Sequence, residues 1–414
     1  MSNQYDVLII GGGLVGSSLA CALEPLARSH GLKMAIIESH NIDKPRSRPP
    51  SFDARSSALS YGTRLIYDKL DLWPELQNTA ALIKQVHISD KGHYGITRID
   101  HKSEGVPALG YVIDNYLLGD VLLKRLEHYR KQGLITIYSP AKVTALEPDS
   151  GAMTATFCNL DNNIQTVSSS LVVLADGGKS ALQKYLGIEC HFHDYDQHAL
   201  IANISVDKPH SGIAYERFNR RGPIALLPKV SSEQQESNLA HNNVYGLVWS
   251  LANDDIEEIS ALDDSSFLKL LQKNFGYRAG RFLRCGRRDC YPLTMTVARE
   301  QVRPNLVILG NAAHVIHPIA GQGYNLAMRD VMALANNIKA SIIAGNPVGE
   351  LSRLVQYLQQ QEADQKRITA FCDGLVKIFS SNESWVALIR NFGLLGLDLS
   401  WTLKTRFAKY SMGL

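Results

Sequence analysis

The chain has 414 residues, with 43 Lys and Arg against 40 Asp and Glu and a formal net charge of +3. That length exceeds the usual single-domain range and predicts two interleaved domains around a large core. The cations are spread along the chain without an aromatic-interleaved basic patch, which argues against nucleic acid as a partner.

The N-terminus carries no basic region, and its first apolar run stops at Gly11, so no signal peptide is expected. No run of about 18 uncharged apolar residues predicts a membrane span. Six cysteines, at 21, 158, 190, 285, 290 and 372, show neither CxxC nor Cys/His ligand spacing. They read as free thiols in a reducing compartment, which predicts a cytoplasmic protein with no metal site.

In chain order, Tyr5 to Ile10 reads as a short buried strand, and Gly11, Gly13 and Gly16 follow it at once. An apolar helical stretch runs from Leu14 to about Leu26. Gly11 allows a tight turn, Gly13 lets a pyrophosphate approach the backbone, and Gly16 lets helix and strand pack closely. A second strand, Lys33 to Ile37, ends in Glu38, 22 residues past Gly16. An acid at that separation accepts from ribose hydroxyls and argues against a 2′-phosphate.

Ser169 to Leu174 is another apolar strand, and it runs into Ala175-Asp176-Gly177-Gly178-Lys179-Ser180. Between these motifs and the next, the period changes to two. Leu200, Ala202, Ile204 and Val206 alternate with polar or outward positions, as do Tyr245, Leu247, Trp249 and Leu251. With Gly212 to Phe218, Pro223 to Pro228, Val86 to Ile88 and Gly95 to Ile99, these predict a mostly antiparallel sheet. Ser231 to Asn243 is polar and reads as a surface hairpin loop.

Leu306 to Leu309 is a further strand, followed by Gly310-Asn311-Ala312-Ala313-His314 and His317-Pro318-Ile319-Ala320-Gly321-Gln322-Gly323-Tyr324-Asn325. Helical spacing then holds from Tyr324 to about Ile343. Strand, glycine turn and helix recur around one dinucleotide, and a glycine-stripped helix N-terminus suits the negative charge that reduction places on a flavin. His314 and His317 stand three residues apart without a third ligand, so a structural or cofactor-contact role is the expectation. At the C-terminus, Trp385, Leu388, Ile389, Phe392, Leu395 and Leu399 recur at helical spacing ahead of Lys404, Arg406 and Lys409. A helix packed on the flavin domain is one reading. A membrane-surface contact or partner interface is the other.

Taken together, these motifs resemble the class A flavin monooxygenases, the para-hydroxybenzoate hydroxylase-like family, over roughly residues 5 to 390. Phe52-Asp53-Ala54-Arg55-Ser56-Ser57-Ala58-Leu59, Ile88 to His93, Tyr215-Glu216-Arg217-Phe218 and His317 to Gly323 are similar to the ubiquinone-biosynthesis hydroxylases within it. The resemblance implies an α/β fold, with a Rossmann-like FAD-binding domain interleaved with a mostly antiparallel β-sheet substrate domain and a C-terminal helical segment. The expected division is 1–80, 105–185 and 285–350 for FAD, 81–104 and 186–284 for substrate, and 351–414 for the helices.

It also implies FAD, with NAD(P)H as transient co-substrate, and a polyprenylated phenol and O₂ as reactants. A lipid-biosynthetic complex or the inner-membrane surface is an implied partner. Gly11, Gly13, Gly16, Glu38, Arg55, Asp176, Gly310, Asn311, Gly321, Gln322, Gly323 and Asn325 would bind cofactor. His93 would face substrate, and Pro318, through its carbonyl, would meet the phenol in front of the flavin. Two positions depart from the family pattern. Asn311 stands where an acid is usual, and Leu182-Gln183-Lys184 lacks the usual arginine. A sister hydroxylase of the same pathway, a flavin-dependent prenyl reductase and a non-catalytic flavoprotein scaffold remain open as alternatives.

Overall fold

The computed structural model describes residues 3–43, 55–92, 95–178, 181–219, 221–230, 243–380, 398 and 400–414. The candidate substrate residue His93, most of the polar 231–243 segment and the apolar run from Trp385 to Leu399 lie outside the described residues.

Two large sheets and a small one organise the chain. In the first, Leu306–Ile308, Ile164–Leu174, Asn3–Ile10, Met34–Ile37 and Ile135–Tyr138 run parallel in that spatial order. The strands are apolar on both faces because both faces are covered, one by helices and the other largely by an antiparallel extension of the sheet. Val7, Ile9, Leu171, Val173 and Val307 point into a core with the helices Leu14–His30, Asn115–Lys131 and Gln322–Ile343. Leu8, Ile10, Val172, Leu174 and Ile308 point the other way, toward Phe157 and Leu146 of the antiparallel extension Ala141–Asp149 and Ala152–Asn159.

Register decides what this sheet can do. Ile10 pairs with both Leu174 and Ile37, and Ile308 also pairs with Leu174. Four strands therefore end on one line, and the loops that open at Gly11, Glu38, Ala175 and Leu309 emerge side by side at the sheet's carboxyl edge. That edge is where open α/β sheets bind ligands.

The second sheet is antiparallel except for one pair, Ile213–Phe218 against Gln85–Asp90. Its other strands include Ile96–Asp100, Cys190–Val206, Ile224–Lys229, Val244–Ala252 and Asp289–Ala298. It reaches beyond residue 284, the boundary expected from sequence, because the 17-residue strand Cys190–Val206 pairs on one side with Val244–Ala252 and on the other with Asp289–Ala298. One face packs Leu200, Leu247, Trp249 and Tyr215 against the helices Asn253–Ala261 and Asp264–Phe275. The other face looks toward the first sheet.

A three-stranded sheet of Ser56–Ser60, Gly110–Asp114 and Ala81–Ile83 fills the seam between the two. The helices Leu351–Ser380 and Trp401–Met412 close the same side. Ala408 and Met412 of the last helix bury against Ile83, Ile99, Val112 and Ala214, which joins the C-terminus to both domains. Among the described residues, no helix is long and apolar enough to cross a membrane.

Candidate active site

Two adjoining cavities lie between the sheets. The first, of about 460 Å³, is bounded on the first-sheet side by Gly11, Gly13, Glu38, Asp176 and Asn311. The second, of about 400 Å³, is almost wholly apolar and is bounded by the second sheet, Phe371 and Leu375, and Phe407 and Met412. Ala58, Leu227, Val248, Pro318 and Gly321 belong to both walls.

The first cavity is built by close backbone approach. Gly11 has φ +104°, and a Cβ there would stand 2.5 Å from Ala175 O. A Cβ on Gly16 would overlap Gly11 O. Only glycine keeps the turn, the strand end and the helix in this contact. The helix Leu14–His30 then starts at Gly13 with no side-chain cap and no acid in its first turn, so its positive end is left to an anion.

Glu38 is buried, and its Oε2 accepts from Gly12 N–H at 2.6 Å while Oε1 accepts from His40 N–H at 2.7 Å. Those bonds hold a carboxylate at the cavity wall in one orientation. On the far wall, the Arg55 guanidinium sits 5.0 Å from the centroid of the Tyr291 ring. Asp176 Oδ1 accepts from Gly178 N–H at 3.0 Å, and Asn311 is exposed beside it. Gly310 has φ +64° and lies close against Val15 of the first helix. The uncapped helix end, the glycine cradle and the oriented carboxylate at the second strand fit the phosphate and ribose of a dinucleotide.

Gly321, Gln322, Gly323 and Asn325 divide between the cavities. Gly323 faces the first and Gly321 both, at the uncapped start of the helix Gln322–Ile343. Gln322 and Asn325 line the apolar cavity, and hydrogen bonds hold them there. Asn325 Nδ2 donates to Ala58 O at 2.9 Å and Gly321 O at 2.8 Å, and its Oδ1 accepts from Ser60 N–H at 2.8 Å. It ties the strand Ser56–Ser60 to this helix. Gln322 Nε2 donates to Ser411 O, which attaches the last helix.

The two histidines of this loop are buried and bonded to neighbouring protein groups. His314 Nε2 lies 2.7 Å from Asp330 Oδ2, both side chains being buried, and Gln365 Nε2 donates to the same oxygen at 3.2 Å. His317 Nδ1 accepts from Ile319 N–H at 3.2 Å, and its ring meets Tyr195 edge-on. Burial pushes its pKa down to about 4, which keeps it neutral.

Two charged residues had no site role in the sequence reading, Glu216 appearing there only within a motif. Lys229 is buried, with Nζ 2.8 Å from Asp114 Oδ1 and 3.0 Å from Asn203 Oδ1. Glu216 lies on the wall of the apolar cavity, and desolvation raises its pKa to about 7. Period-two alternation in Ile213–Phe218 places Ala214, Glu216 and Phe218 on one face, so the signal was present. What was missing was the cavity that gives that face a meaning.

Comparison with known proteins agrees with this geometry. A family model described as FAD binding domain matches residues 4–370. The ubiquinone hydroxylase UbiL of Rhodospirillum rubrum is 32% identical over 99% of this chain and 89% of its own length. The 3-demethoxyubiquinol 3-hydroxylase of Escherichia coli is 27% identical over the full length of both chains. Among solved structures, p-nitrophenol 4-monooxygenase PnpA of Pseudomonas putida superposes with a TM-score of 0.77 at 16% identity, over 99% of this chain and 97% of its own, a likeness of fold. The chain therefore belongs to the FAD binding domain family, and it is an FAD-dependent monooxygenase for which NAD(P)H is the reductant typical of the family.

Proposed function

We propose that the protein hydroxylates the ring of a 2-polyprenyl-6-methoxyphenol in ubiquinone biosynthesis. The observation that carries this reading is the apolar cavity that opens at Pro318 onto the dinucleotide cavity. A phenol ring at that junction would meet the flavin while its tail runs between Phe371, Phe407 and the sheet. Burial is worth roughly 0.8 kcal/mol per CH₂, so each five-carbon unit adds up to about 4 kcal/mol. Affinity then comes from the tail and regiochemistry from the ring.

Gly11, Gly13 and Gly16 would receive the pyrophosphate at the helix end, Glu38 the ribose hydroxyls, and Arg55, Asp176 and Asn311 the phosphates and ribityl chain. When bound and reduced, FAD supplies the activation of O₂. The chain's own part is to hold the ring at Pro318, direct the positive end of the helix Gln322–Ile343 at the flavin and keep water out with apolar walls. A methoxyphenol is electron-rich para to its hydroxyl, which favours that carbon. The last helix, with Leu403, Arg406 and Lys409 exposed, supports collection of the tail from a membrane surface or a lipid-carrying partner.

The E. coli relative's name describes 3-hydroxylation of a 3-demethoxyubiquinol, so a sister reaction at another carbon is the second reading. Mass spectrometry of lipids from a deletion strain separates the two. Accumulation of a 2-polyprenyl-6-methoxyphenol is expected; an intermediate already oxygenated at the para carbon, or normal ubiquinone, overturns the substrate assignment. Oxygen uptake coupled to product formation excludes a prenyl reductase or a scaffold.

A further inference from the structure

We infer that the Glu216 carboxylate is the group that accepts the substrate's phenolic hydroxyl and takes its proton. The inference rests on the ring-hydroxylation reading of this site and names the residue that recognises its ring.

The geometry comes from strand register. Glu216 pairs with Ala225 on one side and Ile88 on the other, Ala225 pairs with Val248, and Val248 pairs with Ile201. Those five residues form one row across the sheet, all on the face turned toward the first sheet. Ile201 lines the dinucleotide cavity, Val248 both cavities, and Ala225, Glu216 and Ile88 the apolar one. Two strand spacings, about 10 Å, separate the backbone of Glu216 from that of Val248 at the junction. A ring seated between them carries its reacting carbon toward the junction and its hydroxyl toward Glu216.

Chemistry singles out the residue. Apart from Tyr215, Glu216 is the one titratable side chain on the apolar cavity's wall among the described residues. Tyr215 is engaged on the opposite face, where its hydroxyl donates to Arg278 O at 3.3 Å. The Glu216 carboxylate makes no hydrogen bond or ion pair within the described residues, while the cavity wall around it is largely apolar. A carboxylate in such a place costs stability unless a ligand supplies the missing donor.

The charged groups of neighbouring elements turn elsewhere. Arg217 donates to Ser89 Oγ, His87 faces Arg278, Arg98 is exposed and Lys229 is held by Asp114. From the covering helices, Asp373 pairs with Lys377, and Arg406 and Lys409 are exposed. Tyr410 sits edge-on to Phe371. Among the described residues no cation stands by to neutralise Glu216, so burial holds its pKa at about 7, where a base for a phenol works best at ordinary pH. In the proton step, the phenol O–H bond breaks and its electron pair stays on the oxygen. The proton goes to a Glu216 oxygen, and the ring's para carbon gains electron density.

The test uses the FAD-loaded enzyme with 2-allyl-6-methoxyphenol and its methyl ether as short probes, after equal flavin content has been shown for all variants. Wild-type kcat/KM should rise with pH through an acid limb near 7. Glu216→Gln should lower it about 100-fold and remove that limb, and Glu216→Asp should restore part of both. Binding, read from the flavin difference spectrum, should favour the phenol over the ether in wild type and lose that preference in Glu216→Leu. An unchanged pH profile in Glu216→Gln, or an unchanged phenol preference in Glu216→Leu, overturns the inference while ring hydroxylation stands. If wild type turns over no phenol, the function reading falls, and the binding comparison still decides whether Glu216 reads a hydroxyl.

Discussion

Lys229 Nζ stands 2.8 Å from Asp114 Oδ1, and this pair, of a buried lysine and a half-buried carboxylate, ties the substrate sheet to the small sheet that borders the dinucleotide cavity. Ser56 Oγ donates to the same carboxylate oxygen. Removing one partner of a desolvated pair leaves an uncompensated charge, whereas removing both is far cheaper. Because Asp114 is only half-buried, Lys229→Met is expected to cost about 1–3 kcal/mol, and Lys229→Met with Asp114→Asn to recover most of it. Urea unfolding followed by flavin fluorescence checks this; additive losses in the double variant would separate the two residues.

Glu38 is expected to govern FAD affinity. Its carboxylate accepts from two backbone N–H groups, so Glu38→Gln places an amide donor against a donor and Glu38→Arg adds a cation as well. A loss of about 1–3 kcal/mol, roughly 5- to 150-fold in Kd, is expected for Glu38→Gln and a larger one for Glu38→Arg. Equilibrium dialysis with FAD measures both, and full loading of Glu38→Arg would remove Glu38 from the site.

Asn311→Asp should retain flavin and activity, since the two side chains are nearly isosteric and both accept hydrogen bonds. Asn311→Leu should release flavin, because a ribityl hydroxyl loses its partner at about 1–3 kcal/mol. Equal flavin content in the two variants would place Asn311 off the cofactor.

Acid should destabilise the fold through two neutral histidines. Burial lowers the pKa of His317 to about 4; burial, then Arg278, does the same for His87, whose Nε2 faces the Arg278 guanidinium at 2.6 Å. Both folded-state values lie below the ordinary 6.5, so their contribution is complete above pH 6.5 and is lost as pH falls toward 4. Each is worth about 3 kcal/mol over that window. Urea midpoints between pH 7 and pH 4 should fall accordingly, and His317→Gln should flatten the slope by one proton; an unaltered slope would show that His317 titrates normally.

Glu216 predicts the opposite dependence. Its folded-state value is raised by desolvation from 4.5 to about 7, so the folded state is favoured most below pH 4.5 and loses stability up to about pH 7. Glu216→Gln should therefore raise Tm relative to wild type above pH 7, by a few degrees, while it slows the reaction. A lower Tm at pH 8 would mean that the carboxylate is satisfied in the fold.

What the sequence determined by itself was everything encoded within a few residues. The turn at Gly11 to Gly16, the acid at Glu38 and the strands that run into Ala175 and Gly310 follow from local periodicity and backbone sterics. They sufficed for the FAD fold. Alternation also foretold the mostly antiparallel second sheet. Tertiary structure alone decided the rest, because it depends on contacts between distant segments. Asn325 reads as a cofactor ligand in its motif, and only the fold reveals its bonds to Ala58 and Ser60, residues more than 260 positions away. Lys229 and Asp114 meet only because two sheets share a seam. The last helix covers the apolar cavity through Ala408 and Met412, which its amphipathic pattern could not locate. Glu216 was visible as a letter in a strand; its role depends on the cavity in front of it, and a cavity is a property of how the sheets pack rather than of any one segment.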